Sequence, residues 1–244
     1  MTIETPAWMM NLRGRFVVFD GSDGSGKTTQ WRRFAQYARD NGVETCAVRE
    51  PGATAIGEKI RDILLAVGSE HEIEPTCEML LFMASRAQLV TEHIKPSLEQ
   101  NHFVLADRFV SSTLAYQGTA GGQSPQDIRR VADIAIRSCW PDLVVIFDVD
   151  EETAARRLAG SPSRSRFVGV EEPTLFSDRI ELRGTAFQKA VREGYLDQAK
   201  SEPDRYLVID AAGSPDTVFD GLIEGIKLRF EGEEGSGERG ASSE

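Results

Sequence analysis

The stretch FVVFDGSDGSGKTTQ, residues 16–30, decides the fold. Phe16–Asp20 is a short apolar run of β-forming residues that ends in a carboxylate, which predicts a buried strand. Gly21–Thr28 interrupts it with glycines, and Thr28–Asn41 then reads as a helix stopped by Gly42. The rhythm repeats outward. Thr45–Val48, His102–Ala106, Leu143–Asp148 and Arg205–Asp210 predict four further strands. Ile56–Val67, Thr76–Gln100 (broken near Pro96), Pro125–Ser138, Glu151–Leu158, Asp178–Lys200 and Pro215–Phe230 predict the helices. Ser124 is placed to cap the helix that opens at Pro125. Apolar strands separated by helices bury both faces of a parallel sheet. The expectation is an α/β fold: a five-stranded parallel sheet covered by helices on both faces, joined by right-handed crossovers.

Composition narrows the function. The chain has 244 residues, of which 28 are Lys or Arg and 39 are Asp or Glu, for a formal net charge of −11. A surface that wraps nucleic-acid phosphates needs a net basic face, so no nucleic-acid partner is expected. A small arginine cluster aimed at one anion is still compatible with this balance. No apolar run approaches the ~20 residues that cross a bilayer. The first fourteen residues lack the apolar core of a signal peptide. Three scattered cysteines (Cys46, Cys77, Cys139) suit a reduced compartment. A cytoplasmic protein with no membrane partner follows as the expectation. His71, His93 and His102 show no metal-ligand spacing, so a zinc site is not expected.

Along the chain, residues 1–14 read as an N-terminal extension and 15–230 as one domain. Residues 160–178, rich in Ser, Arg, Pro and Gly, read as a flexible lid. Residues 231–244 (EGEEGSGERGASSE) read as a disordered acidic tail.

GSDGSGKT at Gly21–Thr28 fits GxxxxGK[ST] and lies between a strand and a helix, the context that makes a phosphate-binding P-loop. The expected architecture is therefore the P-loop NTPase fold. Gly21, Ser22, Asp23, Gly24, Ser25 and Gly26 would turn backbone N–H groups onto the phosphates of a bound nucleotide. The motif by itself does not choose among GTPases, motor or transport ATPases and small-molecule kinases. Lys27 would reach the β- and γ-phosphates, and Thr28 would offer its hydroxyl to Mg²⁺. Two strands end in acids, Asp107 and Asp148, and either could stand beside the metal. No NKxD guanine motif occurs, which disfavours a GTPase. Arg108 follows Asp107 at a strand's C-terminal end, where ligands bind in such sheets.

Five blocks in order carry a resemblance: GSDGSGKTT, REPGAT (Arg49–Thr54), FMASRAQ (Phe82–Gln88), ADRFVSSTLAYQG (Ala106–Gly118) and DRIE (Asp178–Glu181). From about Phe16 to Phe230 the chain resembles the thymidylate kinase family, which phosphorylates dTMP with ATP. The resemblance implies that Arg49 and Arg108 hold the 5′-phosphate of dTMP, and that Phe82 stacks on thymine. It implies that Arg86 meets a thymine carbonyl, that Asp23 lies near the 3′-hydroxyl, and that Ser112, Tyr116 and Gln117 line the sugar and base. It also implies a homodimer. An arginine inside the P-loop serves some family members; Gly24 stands there in this chain. Arg164, Arg166 and Arg179 in or beside the lid are therefore expected to join Lys27 and Arg108 in catalysis. REPGAT has Ala53 where the family has a second glycine, which strains the chain by about 1 kcal/mol if φ is positive there. Arg86, read as a buried arginine beside an aromatic, makes sense only if a ligand fills the space in front of it.

An acceptor phosphate monoester has a second pKa of about 6 and is ionised at neutral pH. No general base is then needed, which agrees with the lack of a catalytic histidine pattern. Two other readings remain at this stage: a kinase for another nucleoside monophosphate such as dUMP, and a nucleotide-binding regulator without chemistry.

Overall fold

The computed structural model describes residues 5–65, 73–159 and 184–231. The elements in chain order begin with α1 (Ala7–Met10), β1 (Phe16–Asp20), α2 (Lys27–Asp40), β2 (Thr45–Arg49) and α3 (Ala55–Leu65). Next come α4 (Pro75–Leu89), α5 (Lys95–Glu99), β3 (Phe103–Asp107), α6 (Val110–Thr113) and α7 (Pro125–Ile136). The chain continues with β4 (Leu143–Asp148), α8 (Glu151–Ala159), α9 (Gly184–Ser201), β5 (Tyr206–Asp210) and α10 (Pro215–Phe230). Each strand lies within one residue of its expected bounds.

The five strands form one sheet in the order β2-β3-β1-β4-β5, and every pairing is parallel. Alternation along each strand divides the core in two. Phe16, Val18, Val104, Ala106, Val144 and Ile146 face one layer, with Met83, Ile94, Ile128 and Tyr195. Val17, Phe19, Phe103, Leu105, Val145 and Phe147 face the other, with Phe34, Ala38, Leu222 and Ile226. In that second layer Phe19 meets Phe147 edge-on at 5.2 Å, a geometry that aromatic quadrupoles favour, and packs at a tilt on Phe34 at 5.6 Å.

The segment set apart in the sequence as an extension joins this second layer. Met9 and Leu12 are fully buried and Trp8 nearly so. Asn11 Nδ2 donates to the Phe230 carbonyl at 2.8 Å.

Two helices widen locally. The irregularity expected near Pro96 comes just before it, as a π turn over Val90–Ile94 in which Lys95 N–H bonds Val90 O. Proline has no N–H and its ring crowds the carbonyl four residues back, so the ladder opens ahead of it. A second π turn, Leu114–Thr119, carries Tyr116 and Gln117. The caps follow their residues: Gly42 adopts φ 76° just past α2, and Ser124 Oγ accepts from Asp127 N–H at 3.3 Å.

All five strands end in a charged residue at the same edge: Asp20, Arg49, Asp107, Asp148 and Asp210. The chain order reverses at β1, so the crevice beyond these ends is the binding position of an open α/β sheet.

Candidate functional site

The donor half of the crevice is made by the loop between β1 and α2. Gly24 has φ 80°, and a Cβ there would lie 2.6 Å from the Ala154 carbonyl oxygen. No side chain fits at that position. Gly26, with φ 87°, ends the loop and begins α2, whose first N–H groups and dipole face the crevice. Ser25 Oγ is buried and has no hydrogen-bond partner, a polar atom that a phosphate oxygen would satisfy. Arg157 braces the loop from behind. Its Nη2 donates to the carbonyls of Ala211, Ala212 and Gly213 at 2.9–3.2 Å, and Nη1 to Ser25 O at 3.4 Å.

Lys27 is buried, with Nζ 3.9 Å from Asp23. Burial pushes its amine down, Arg108 adds to that, and Asp107, Asp23 and Asp20 pull the other way; the net shift is downward. Thr28 Oγ1 donates to Asp107 Oδ2 at 2.8 Å. Of the two candidate strand-end acids, Asp107 therefore adjoins the loop hydroxyl. Asp148 is taken by Arg192, which forks onto both its oxygens at 2.7 and 2.9 Å. Among the described residues no cluster of three metal-binding side chains occurs. A hydroxyl and a carboxylate together suit Mg²⁺, which keeps most of its shell for water and phosphate oxygens.

The acceptor half is a cleft of about 320 Å³ lined by Glu50, Phe82, Arg86, Arg108, Ser112, Thr113, Tyr116 and Gln117. Arg108 sits at its junction with the loop, at φ 73°. Its Nη2 donates to Asp23 Oδ1 at 2.6 Å. Its Nη1 donates to Ser112 Oγ at 2.9 Å, Tyr195 OH at 3.2 Å and Gly21 O at 3.3 Å. The guanidinium lies 5.1 Å from the Tyr116 ring centre, a cation–π distance. Tyr116 OH donates to Asp23 Oδ2 at 3.1 Å. Burial pushes the Asp23 carboxyl up, but Arg108, Lys27 and these hydrogen bonds outweigh it and hold the pKa below the usual range.

Phe82 and Arg86 share a face of α4, four residues apart, and both line the cleft. Arg86 corrects one expectation. Its charge already has a protein partner: Nη2 and Nε donate to Glu50 at 2.6 and 2.8 Å, and Nη1 meets Thr113 and Met83. Both members of the pair are buried, and burial pushes the Glu50 carboxyl up against the pull of Arg86. A ligand is thus not required to explain the buried arginine. Glu50 stands inside the REPGAT block, so its signal was an acid next to the assigned Arg49. Gln117 donates to Glu78 at 2.8 Å. Arg49 ends β2 and reaches Glu58 at 3.4 Å. Ala53 has φ 63°, so the condition for strain in REPGAT is met. Arg164, Arg166 and Arg179 lie outside the described residues.

A thymidylate kinase family model matches residues 19–221, which span the loop and the whole cleft. The chain belongs to the thymidylate kinase family. It is 37% identical over 221 residues to thymidylate kinase of Caldanaerobacter subterraneus subsp. tengcongensis, covering 91% of this chain and 99% of that one. It is 39% identical over 215 residues to the enzyme of Desulforapulum autotrophicum, covering 88% and 92%. The crystal structure of Ehrlichia chaffeensis thymidylate kinase matches with TM-score 0.65 at 31% identity, over 86% of this chain and 97% of that one. The parallel α/β sheet described above is thus the thymidylate kinase fold, and the chain is an enzyme of that family.

Proposed function

We propose the following division of labour in the reaction of the thymidylate kinase family, transfer of the γ-phosphoryl group of ATP to dTMP, giving dTDP and ADP for dTTP synthesis. On the donor side the amides of Gly21–Thr28 cradle the ATP phosphates, and Ser25 gains the partner it lacks. Lys27 bridges the β- and γ-phosphates. Thr28 and Asp107 would hold Mg²⁺, directly or through water; when bound, the ion neutralises charge on the phosphate oxygens.

On the acceptor side Arg108 and Arg49 hold the 5′-phosphate of dTMP, since a planar guanidinium matches two phosphate oxygens. Phe82 stacks on thymine. Arg86 meets a base carbonyl through Nη1, the nitrogen not turned to Glu50. Asp23 accepts the 3′-hydroxyl, and Ser112, Tyr116 and Gln117 line the deoxyribose, with Tyr116 excluding a 2′-hydroxyl. The attacking oxygen is already ionised near neutral pH, so positioning and charge neutralisation supply the rate. Gly24 admits no side chain. Positive charge on the moving phosphoryl must come from elsewhere, and Arg164, Arg166 and Arg179 are its proposed sources. The protein works as a cytoplasmic homodimer; exposed Ile56, Ile63 and Leu80 on α3 and α4 support an apolar contact between copies.

The observation that carries this reading is Arg108. One arginine touches the first carbonyl of the ATP loop, its acid Asp23, and the cleft lined by Phe82. Donor and acceptor phosphates meet at such a point. A coupled ADP-release assay with dTMP, dUMP, dCMP and dGMP, with Mg²⁺ and with excess chelator, tests it. The expected result is fastest turnover of dTMP and none without the metal. Faster turnover of another monophosphate, or none of any, overturns the reading. Alanine at Arg164, Arg166 or Arg179 should lower turnover more than about tenfold, or ~1.4 kcal/mol, for at least one of the three. Three near-normal variants would remove the arginine part.

A further inference from the structure

We propose that Asp20 and Tyr195 are positioning residues that fix the acceptor arginine, Arg108, in line with the ATP loop. The inference rests on the assignment of Arg108 to the acceptor phosphate. Asp20 is the last residue of β1 and is fully buried. Its Oδ1 accepts from Tyr195 OH at 2.6 Å, Ser112 Oγ at 2.7 Å, Gly21 N–H at 3.0 Å and Arg108 Nη1 at 3.4 Å. Its Oδ2 accepts from Ser111 Oγ at 2.6 Å.

These donors come from four places. Gly21 opens the ATP loop, Arg108 follows β3, the two serines lie in α6, and Tyr195 lies in α9. One carboxylate thus joins the start of the donor cradle to the arginine of the acceptor cleft. Tyr195 closes the arrangement from behind: it donates to Asp20 and accepts from Arg108 Nη1 at 3.2 Å. Burial and the Asp20 charge push its phenol up, so it stays a donor at any working pH. Tyr195 is 1% exposed, so with Asp20 it lies beneath the surface of the crevice.

Arg108 needs such fixing. Its φ of 73° is one that a residue bearing a Cβ does not choose unaided, so the surroundings must impose it. Asp23 alone grips only Nη2. A guanidinium held at one nitrogen can swing; gripped at Nη1 as well, its plane is set. Asp23 is also assigned to the 3′-hydroxyl of dTMP, so the hold of Asp20 and Tyr195 on Nη1 is the one not shared with the sugar. In-line transfer is sensitive to this, because a misplacement of about 1 Å costs roughly 10²-fold in rate. Positioning acts on the transition state more than on binding, so it shows in kcat.

Tyr195→Phe and Asp20→Asn, purified and compared with the unaltered chain in the dTMP assay, test the inference. Tyr195→Phe should lower kcat about tenfold and Asp20→Asn about 100-fold, with KM for ATP and for dTMP each within about threefold. Thermal midpoints and ATP-titrated active sites keep the comparison per folded molecule. An unchanged kcat per folded site, whatever the midpoint, overturns the inference and leaves a structural role. A raised KM for dTMP with unchanged kcat overturns it too. If Asp20→Asn does not fold, Tyr195→Phe, which removes one hydroxyl, decides alone. An unaltered chain inactive on dTMP would strike the functional reading itself; an active one with unimpaired variants strikes only the positioning role.

Discussion

The two halves of the crevice are built from different materials. The donor half is backbone: a loop of eight consecutive residues, Gly21–Thr28, whose shape depends on where no Cβ stands. The acceptor half is side-chain charge: Arg108 between Asp20 and Asp23, and Arg86 against Glu50, drawn from the end of β1, the loop after it, the residues just past β2 and β3, and α4. A backbone cradle fails when a side chain is added. A charge network fails when one is removed. The contrast also explains why the arginines of the acceptor half carry counter-charges from the protein itself, since buried cations need partners at all times.

The largest expected effect falls on the charge network. Glu50→Ala leaves Arg86 buried without a counter-charge and should cost about 3–5 kcal/mol of stability in urea unfolding. The double variant Glu50→Leu with Arg86→Met should recover most of it, because an apolar pair needs no partner. A single variant as stable as the parent would show that water already solvates the pair. On the donor side, Gly24→Ala should cost about 1–2 kcal/mol from the left-handed φ alone, and more from the 2.6 Å approach to Ala154. It should also raise the KM for ATP while sparing that for dTMP. Equal loss for both substrates would erase the distinction between the halves.

A third test uses pH. The Asp23 carboxyl is held below its ordinary 3.8 in the folded chain. A depressed carboxylate contributes stability that is whole above the unfolded value and is lost as pH falls through the folded one. The stability gap between the parent and Asp23→Asn should be constant above about pH 5 and shrink below about 3.8. A gap that holds its size at pH 3 would contradict the ion pair with Arg108. The smallest effect belongs to Ala53→Gly. It relieves a φ of 63° but frees the unfolded chain, so a net gain of about 1 kcal/mol or less is expected in thermal unfolding. A loss would mean that the Ala53 methyl makes packing worth more than the strain.

The same contrast governs what could be read from the sequence. The donor loop was legible because its chemistry is local and its glycines sit at fixed offsets between a strand and a helix. The strands were legible because apolar runs end in charges at one edge. Asp20 was in plain view as the end of β1, yet its role depends on Tyr195, 175 residues away, and on two serines in α6. Nothing in local spacing joins them. Glu50 is hidden for the same reason: its partner is on α4, 36 residues on. The π turn at Leu114–Thr119 has no proline to announce it, so the presentation of Tyr116 was visible only in three dimensions. The five blocks of resemblance supplied a role for Arg86, and one for Phe82 that periodicity alone would have given to the core.

The packing of Trp8, Met9 and Leu12 against the end of α10 has a practical bearing. The family match stops at residues 19 and 221, short of all three and of Ile226 and Phe230. A chain trimmed to those limits would lose most of β1 and bare the part of that layer not covered by α2, and would be expected to clump. The border of the family match runs inside the border of the folded body, and anyone attaching a tag or a fluorophore should work from the latter.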